Sequence, residues 1–327
     1  MYNIFKSLIE KSLENAEQNI SKITDDIITM DGMSGTKTRH FYNNLLSNDY
    51  TKYLEIGTWK GSSVCSAMCG NKSKIVCIDN WSEFGGPKNE FLLNFKKYKG
   101  ENDATFIEKD CFRVDVSILP KFNIYMYDGN HTNESHYKAL LHYYNCLDDI
   151  FIFIVDDWNW EDVRNGTINA IKKLNLKILY EKEIRLTWDN THTPLPEATI
   201  SWWNGIYITI LQKTNTHYNA TWFNPANFEI LNQYKNINNI NFLEIGSFEG
   251  MGTNYFIDNY LNDTSFITCV DPWIKYSEST IANINDYDDL INEKTYNIFL
   301  NNTNYNKHKI IIKKNLSCNI LPSLDKI

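Results

Sequence analysis

From residue 53 onward, short apolar runs alternate with stretches of helical character. The apolar runs are residues 53–56, 75–78, 105–107, 124–127 and 150–155. Between them lie three segments with the length and composition of helices, residues 62–69, 88–99 and 135–147. Strands that are apolar throughout are typical of a parallel sheet covered by helices on both faces. With two further β-like runs, 177–181 and 205–211, the pattern predicts an α/β fold with a doubly wound, mostly parallel sheet.

The beginning of this pattern occurs a second time. Residues 241–250 (NFLEIGSFEG) resemble residues 52–61 (KYLEIGTWKG), and residues 267–273 (ITCVDPW) resemble residues 75–81 (IVCIDNW). Agreement over two successive strand-and-loop units indicates an internal repeat of a domain type. The chain reaches Ile327 after the third strand of the second copy, which predicts a truncated second α/β half-domain.

The repeat divides the 327 residues into four predicted segments. They are an N-terminal helical segment (1–40), a first domain (41–213), a polar connector (214–235) and a partial second domain (236–327). A half-sheet leaves the apolar strand 242–245 as an exposed edge, which is an aggregation hazard. We expect it to be covered by the first domain, by a second chain in a homo-oligomer, or by a C-terminal continuation of the protein.

Composition and charge argue against several classes of protein. The net charge of −8 disfavours a dedicated surface for nucleic acid or anionic membrane. No run of 18 apolar residues is present, and the amphipathic N-terminus does not have the apolar core of a signal peptide. The seven cysteines are scattered without a CxxC pair, as expected of core residues in a reducing compartment. We therefore expect a cytoplasmic protein.

The first chemical motif is Leu54-Glu55-Ile56-Gly57-x-x-x-Gly61, at the end of one predicted strand and the start of a helix. A ligand at the carboxyl ends of parallel strands needs glycine where its atoms meet the backbone. The spacing departs from the GxGxxG of nicotinamide enzymes. A glutamate inside the strand suits a cationic or amino-acid ligand, and Asp79 at the end of the second strand can accept both hydroxyls of a ribose. A plain tight turn is the alternative.

Together these features resemble the cofactor site of the class I S-adenosylmethionine-dependent methyltransferases, whose sheet is Rossmann-like. The resemblance implies that the glycine loop borders the methionine part of the cofactor, that Glu55 orients it, and that Asp79 holds the ribose. It places Asp110, after the third strand, beside the adenine, although a solvated loop carboxylate explains Asp110 equally well. The implied cofactor residues are Glu55, Gly57, Thr58, Gly61, Ser62, Asp79 and Asp110.

The second motif combines Asp128-Gly129-Asn130-His131, after the fourth strand, with Asp156-Asp157, after the fifth. Neighbouring strand ends open onto the same crevice. Three carboxylates there repel one another unless they are protonated or neutralised by a cation. Oxygen ligands favour a hard ion such as Mg²⁺, which would help a sugar or catechol hydroxyl to lose its proton.

This motif resembles the macrocin-type sugar O-methyltransferases and a wider family with a D-G-x-H motif. The resemblance implies that Asp128, Asp156 and Asp157 bind Mg²⁺. The family's proposed base is an aspartate where this chain has Asn130, and an amide cannot take a proton. His131 takes that role, a metal-bound hydroxide replaces it, or His131 only supports a neighbouring strand. The predicted catalytic residues are Asp128, His131 and Asp157.

The sequence thus predicts an S-adenosylmethionine-dependent O-methyltransferase, Mg²⁺-dependent, acting on a sugar or another small hydroxylated acceptor. The alternatives are another acceptor class (phenolic, lipid or protein), a catalytically silent cofactor-binding or assembly module, and a nicotinamide enzyme. Trp158 and Trp160 follow the aspartate pair, and each either lines the acceptor site or packs in the core. For Trp202 and Trp203 we expect core packing.

Overall fold

The computed structural model describes residues 1–219, 222–235, 237–274 and 294–324. These residues fall into two compact units, Met1–Lys213 and Thr214–Ile327. Within the described residues no helix combines the length and the apolar character needed to cross a bilayer.

The first unit contains a seven-stranded sheet with the strand order β3-β2-β1-β4-β5-β7-β6. Its strands are β1 (Lys52–Ile56), β2 (Lys74–Asp79), β3 (Asp103–Glu108), β4 (Phe122–Tyr127), β5 (Leu147–Asp156), β6 (Lys177–Ile184) and β7 (Ile206–Gln212). Strands β1 to β5 pair in parallel, whereas β7 runs antiparallel to both β5 and β6. The chain passes from β1 outward to β2 and β3, and then returns to place β4 on the other side of β1.

Helices cover both faces of this sheet, because its strands alternate apolar side chains toward two separate cores. The helices are α1 (Tyr2–Glu17), α2 (Asp25–Ile28), α3 (Thr36–Leu45), α4 (Ser62–Met68), α5 (Lys88–Tyr98), α6 (Asn133–Tyr143), α7 (Glu161–Lys173) and α8 (Leu195–Ile200). Side chains of α1, α3 and α4 share one core with alternate strand residues such as Tyr53 and Ile124. Side chains of α6 and α7 share the other core with the intervening residues, such as Leu54 and Tyr125.

The predicted Rossmann-like, doubly wound α/β fold is confirmed. Strand positions follow the apolar runs, since burial on both faces leaves little room for polar side chains inside a strand. The N-terminal boundary differs from the one predicted. Residue 40 lies inside α3, and the helices before β1 pack on the sheet as part of the first unit.

The second unit contains a three-stranded parallel sheet with the order β10-β9-β8. Its elements are β8 (Asn241–Ile245), α9 (Met251–Tyr260), β9 (Phe266–Asp271), α10 (Lys294–Thr303), β10 (Ile310–Lys314) and α11 (Ser317–Ile320). Part of the predicted connector forms a 3-10 helix, Pro225–Tyr234, and Phe223 and Phe228 from this region pack on the core of the second unit.

The two glycine loops have similar backbone geometry. Gly57 and Gly61 have φ angles of 85° and 90°, and Gly246 and Gly250 have φ angles of 82° and 84°. Asp271 accepts hydrogen bonds from the backbone amides of Phe248 (3.0 Å) and Trp273 (2.7 Å). That the second unit is a copy of the first domain stays a prediction, and so does the covering of its edge strand β8.

Candidate active site

The candidate site lies where β1 and β4 end side by side, because the crossovers leave these two strands in opposite directions and open a crevice there. The backbone amide of Asp128 donates to the carbonyl of Ile56 (2.9 Å). Gly57 and Asp128 approach so closely that a Cβ atom on Gly57 would lie 1.8 Å from the carbonyl oxygen of Asp128. Glycine is therefore required at this position by contact as well as by its positive φ angle.

Asp79 ties the glycine loop to the loop that follows β2. Its Oδ2 atom accepts hydrogen bonds from the backbone amides of Thr58 (2.7 Å) and Trp59 (2.8 Å), and its Oδ1 atom accepts from the amide of Trp81 (2.7 Å). The indole of Trp81 also donates to the carbonyl of Trp59 (3.0 Å). Asp79 thus fixes the shape of the loop, and Oδ1 keeps a lone pair for a ligand.

Glu55 lies behind the glycine loop. Its side chain is fully buried, and its carboxylate accepts hydrogen bonds from Ser63 Oγ (2.6 Å) and the Tyr53 hydroxyl (2.7 Å). Burial raises the pKa of Glu55 to about 8, although the two hydrogen bonds favour the charged form. Glu55 therefore anchors the first turn of α4, which begins after Gly61, and reaches a ligand only through Ser63.

The segment between α2 and α3 forms a second wall beside the glycine loop. Ser34 Oγ lies 2.8 Å from Ser62 Oγ, and Asp31 pairs with Lys60 (2.6 Å). Arg39 holds this segment in place. Its guanidinium is buried and donates to backbone carbonyls of residues 27, 28, 30 and 34 at 2.6–3.1 Å.

Asp110 begins a short 3-10 turn, and its carboxylate accepts a hydrogen bond from the amide of Phe112 (2.9 Å). It is partly exposed and lines the same cavity as Asp79. Asp110 thus caps a turn and also faces the space in front of β2 and β3, and its place beside an adenine stays a prediction.

A single cavity of about 330 Å³ connects the two predicted motifs. On one side it is lined by the glycine loop, Asp79 and Asp110, and on the other by Asp128, His131 and Asp157. Further lining residues include Ser34, Glu83, Phe84, Trp160, His192, Trp203 and Asn204.

Asp128, His131 and Asp157 form an acidic cluster around one imidazole. His131 Nε2 lies 2.7 Å from Asp157 Oδ2 and 3.7 Å from Asp128 Oδ1. Asp157 is almost fully buried and has a φ angle of 57°, a left-handed conformation uncommon for a non-glycine residue. This conformation ends β5 abruptly. The side-chain nitrogen Nδ2 of Asn204 donates a hydrogen bond to Asp157 Oδ1 (2.8 Å).

The electrostatics of this cluster favour a protonated imidazole. Burial disfavours the charged imidazolium, but the carboxylates of Asp128 and Asp157 outweigh burial and raise the pKa of His131 to about 10. Burial raises the pKa of Asp128 to about 6, and the neighbouring charge of Asp157 adds to this rise. His131 therefore supplies positive charge between two carboxylates.

Asp156 stands apart from this cluster. Its carboxyl is buried, and Oδ1 has no hydrogen-bond partner among the residues that the structure describes. Burial and the nearby charges of Asp128 and Asp157 raise its pKa well above the usual range. The described residues whose ligand atoms converge, all within 4.8 Å of one another, are Asp128, His131 and Asp157. In this group of converging ligand atoms, His131 replaces Asp156 of the predicted metal ligands.

The comparisons with known proteins agree with this geometry. Residues 54–158 match the model of a family described as a methyltransferase domain. This match spans both motifs, from the glycine loop to the aspartate pair. No curated protein sequence matches the chain.

Several solved structures resemble part of the chain at low sequence identity. TrmN from Thermus thermophilus is 10% identical with a TM-score of 0.40, over 57% of this chain and only about half (51%) of that one. An O-methyltransferase from Bacillus cereus in complex with SAH is 11% identical with a TM-score of 0.41, over 64% of this chain and 100% of that one. Precorrin 8W decarboxylase from Methanobacterium thermoautotrophicum is 14% identical with a TM-score of 0.39, over 58% of this chain and 98% of that one. These low scores carry no argument about function.

Several residues that complete the cavity lie outside the matched segment 54–158, and no sequence pattern pointed to them. Ser34 precedes it, on the segment that Arg39 holds in place, and His192 and Asn204 follow it. A histidine that precedes two prolines in a polar loop gives no periodic signal that would identify it. Buried asparagines are also hard to distinguish from surface ones in a chain rich in asparagine.

The structure separates the four tryptophans. Trp160 lines the cavity, whereas Trp158 is fully buried and stacks on Tyr207 with ring centroids 4.2 Å apart. Trp202 is buried as expected. Trp203 is partly exposed and lines the cavity, contrary to the expected core packing. Its φ angle of 59° turns the chain at this point and separates its side chain from that of Trp202.

Proposed function

We propose that the first unit transfers a methyl group from S-adenosylmethionine to a hydroxyl of a small acceptor. The observation that carries this proposal is the shared cavity, which joins the glycine loop and Asp79 to the Asp128–His131–Asp157 cluster. A cofactor bound along the loop at the ends of β1 and β2 would present its methyl group toward β4 and β5, where that cluster lies.

The chemistry requires a donor methyl, an acceptor oxygen and a site for one proton. The acceptor oxygen attacks the methyl carbon, the carbon–oxygen bond forms as the carbon–sulfur bond breaks, and the sulfonium becomes a thioether. The hydroxyl proton passes to the cluster, in which Asp128 Oδ1 and Asp157 Oδ2 are the oxygen atoms nearest His131 Nε2. Holding the acceptor in line with the methyl group supplies much of the rate enhancement.

We further propose a sugar or a similar hydroxylated ring as the acceptor. The indoles of Trp160 and Trp203 line the cavity and offer flat apolar surfaces of the kind on which a pyranose packs. Asn130, Glu83, His192 and Asn204 provide hydrogen-bonding groups around them. A pocket of about 330 Å³ suits a small acceptor in addition to part of the cofactor.

We also propose that Mg²⁺ binds beside this acceptor. Asp128 and Asp157 supply the hard oxygen ligands that Mg²⁺ prefers. The third converging atom is Nε2 of His131, which carries a proton when it pairs with these carboxylates and therefore competes with the cation for them. The donor set therefore fits a divalent cation at the two carboxylates. When bound, the cation would lower the pKa of the acceptor hydroxyl.

Calorimetric titration with S-adenosylhomocysteine, followed by transfer of tritiated methyl groups to a panel of methyl glycosides and catechols, tests the proposal. Asp157→Asn should reduce turnover by at least about 100-fold while leaving the affinity for S-adenosylhomocysteine within about twofold. Asp149→Asn is the matched control, because Asp149 is exposed near the opposite end of β5. The control should retain full turnover.

The outcomes separate the parts of the proposal. Absence of S-adenosylhomocysteine binding would refute methyl transfer altogether. Binding without turnover of any acceptor would favour a silent cofactor-binding module. Full turnover in excess chelator would refute the Mg²⁺ requirement and leave methyl transfer standing.

A further inference from the structure

The loop between β6 and β7 is held against the cavity by two buried asparagines. Asn159 Oδ1 accepts from the backbone amides of Leu186 (2.9 Å) and Thr187 (3.3 Å), and its Nδ2 atom donates to Thr193 Oγ1 (3.0 Å). Asn204 Oδ1 accepts from the amide of Thr193 (3.0 Å). Both asparagine side chains are inaccessible to solvent or nearly so. The loop is therefore built in a fixed position, with His192 adjacent to the anchored Thr193.

The same asparagine that anchors the loop orients His192. Because Asn204 Oδ1 accepts from Thr193, its amide nitrogen must be the atom that faces the other way. This nitrogen lies 2.8 Å from Asp157 Oδ1 and 3.2 Å from His192 Nδ1. His192 Nδ1 thus accepts a hydrogen bond, and the proton of the neutral ring is on Nε2.

His192 and His131 stand on either side of one indole. The ring centroid of Trp160 lies 4.8 Å from that of His131 and 4.8 Å from that of His192, with interplanar angles of 76° and 84°. All three rings line the cavity. A ligand against Trp160 therefore meets the acidic cluster on one side and His192 on the other.

We propose that His192 is a specificity-determining residue whose Nε2–H group donates a hydrogen bond to a second oxygen of the acceptor, next to the hydroxyl that is methylated. This inference rests on the proposed function and adds a recognition element to the same site. The acceptor class is a vicinal diol, with one oxygen at the Asp128–His131–Asp157 cluster and its neighbour at His192. A site that offers such a donor discriminates against an analogue that lacks the second oxygen.

Two substitutions distinguish the role of Nε2 of His192 from that of Nδ1. Glutamine can place an amide N–H group near the position of Nε2, whereas asparagine retains only an acceptor near the position of Nδ1. We expect His192→Asn to weaken binding of the diol by about 3- to 10-fold, the effect of one partly exposed hydrogen bond. His192→Gln should restore most of this loss. Neither should change the affinity for S-adenosylhomocysteine, because His192 lies on the acceptor side of the cavity.

The probes are catechol and methyl α-L-rhamnopyranoside, each titrated into the full-length protein saturated with S-adenosylhomocysteine. Phenol, which has one oxygen, is the control for catechol. Where a probe is methylated, the loss in His192→Asn should appear in KM and leave kcat within about twofold. Nitrogen-15 spectra of the histidine side chains should show the proton of the neutral His192 ring on Nε2.

Several results would overturn the inference while leaving the proposed function intact. They are an absence of binding by both diols to the cofactor complex, equal losses in the glutamine and asparagine variants, and an equal loss for phenol and catechol. Failure of S-adenosylhomocysteine to bind the wild-type protein would instead refute the proposed function, and the inference with it.

Discussion

Replacing Gly57 by alanine tests the closest backbone approach in the site, and the chain provides its own control. Gly57 and Gly246 have nearly the same φ angle, 85° and 82°. A Cβ atom on Gly57 would lie 1.8 Å from the carbonyl oxygen of Asp128, whereas one on Gly246 would meet no atom of the described residues within 4 Å. The two substitutions therefore share the cost of a left-handed alanine and differ in the steric clash.

The expected magnitudes follow from these two contributions. An L-residue in the left-handed region costs about 1–2 kcal/mol, and this is the whole expected loss for Gly246→Ala. Forcing extra volume into a packed region adds about 1–3 kcal/mol, so Gly57→Ala should lose about 2–5 kcal/mol. The clash is with backbone, which cannot rotate away as a side chain would, so we expect the upper part of this range.

Hydrogen exchange at increasing urea concentrations, measured by mass spectrometry, gives the stability of each unit from the peptides of that unit. Gly57→Ala should destabilise peptides of β1 and β4 and should weaken S-adenosylhomocysteine binding by more than about 10-fold, since Gly57 and Asp128 both line the cavity. Gly246→Ala should leave that affinity unchanged. Equal destabilisation by both substitutions would refute the reasoning, because it would mean that the contact with Asp128 contributes nothing.

Two further predictions concern buried charges. Since the pKa of Glu55 is raised to about 8, the stability that its protonated form contributes is complete below about pH 4.5 and is lost as the pH rises through 8. The urea midpoint of the wild type should therefore fall between pH 5 and pH 8, and that of Glu55→Gln should fall less. Parallel pH profiles of the two proteins would contradict the raised pKa. Arg39→Met should lower the free energy of unfolding by at least about 2 kcal/mol, because backbone carbonyls lose their donor, and should weaken S-adenosylhomocysteine binding as the wall that carries Ser34 moves. Lys96→Met, at an exposed lysine of α5, is the control. Unchanged affinity in Arg39→Met would show that this wall does not contact the cofactor.

The sheet and its cofactor loop were accessible from sequence because both depend on local rules. Strands such as 124–127 are apolar on both faces, and Gly57 follows one of them at a point where positive φ is needed. Because β4 pairs in parallel with β1, Gly57 and Asp128, which directly follow these strands, lie close together. For these residues, chain order and the rules of parallel sheets were sufficient to predict their neighbourhood.

The composition of the acidic cluster was harder to predict, because it depends on side-chain direction at a strand end. Asp156 and Asp157 are adjacent, and sequence alone assigns both to the crevice. In the structure Asp157 pairs with His131, whereas the carboxyl of Asp156 is buried, lines the same cavity and is not among the converging ligand atoms. His192 and Asn204 could not be predicted for a different reason. They reach the cavity through a loop that is anchored by long-range hydrogen bonds, which leave no local sequence pattern.

The reversed direction of β7 has a consequence for how such a protein could be diversified. Because β7 runs against its neighbours, its first residue lies at the edge where the parallel strands have their last. The excursion 185–204 therefore begins and finishes at the mouth of the cavity, far in sequence from the glycine loop. Exchange of this one contiguous segment would change the wall of the cavity that carries His192, Trp203 and Asn204, and would leave the sequence of the glycine loop unchanged.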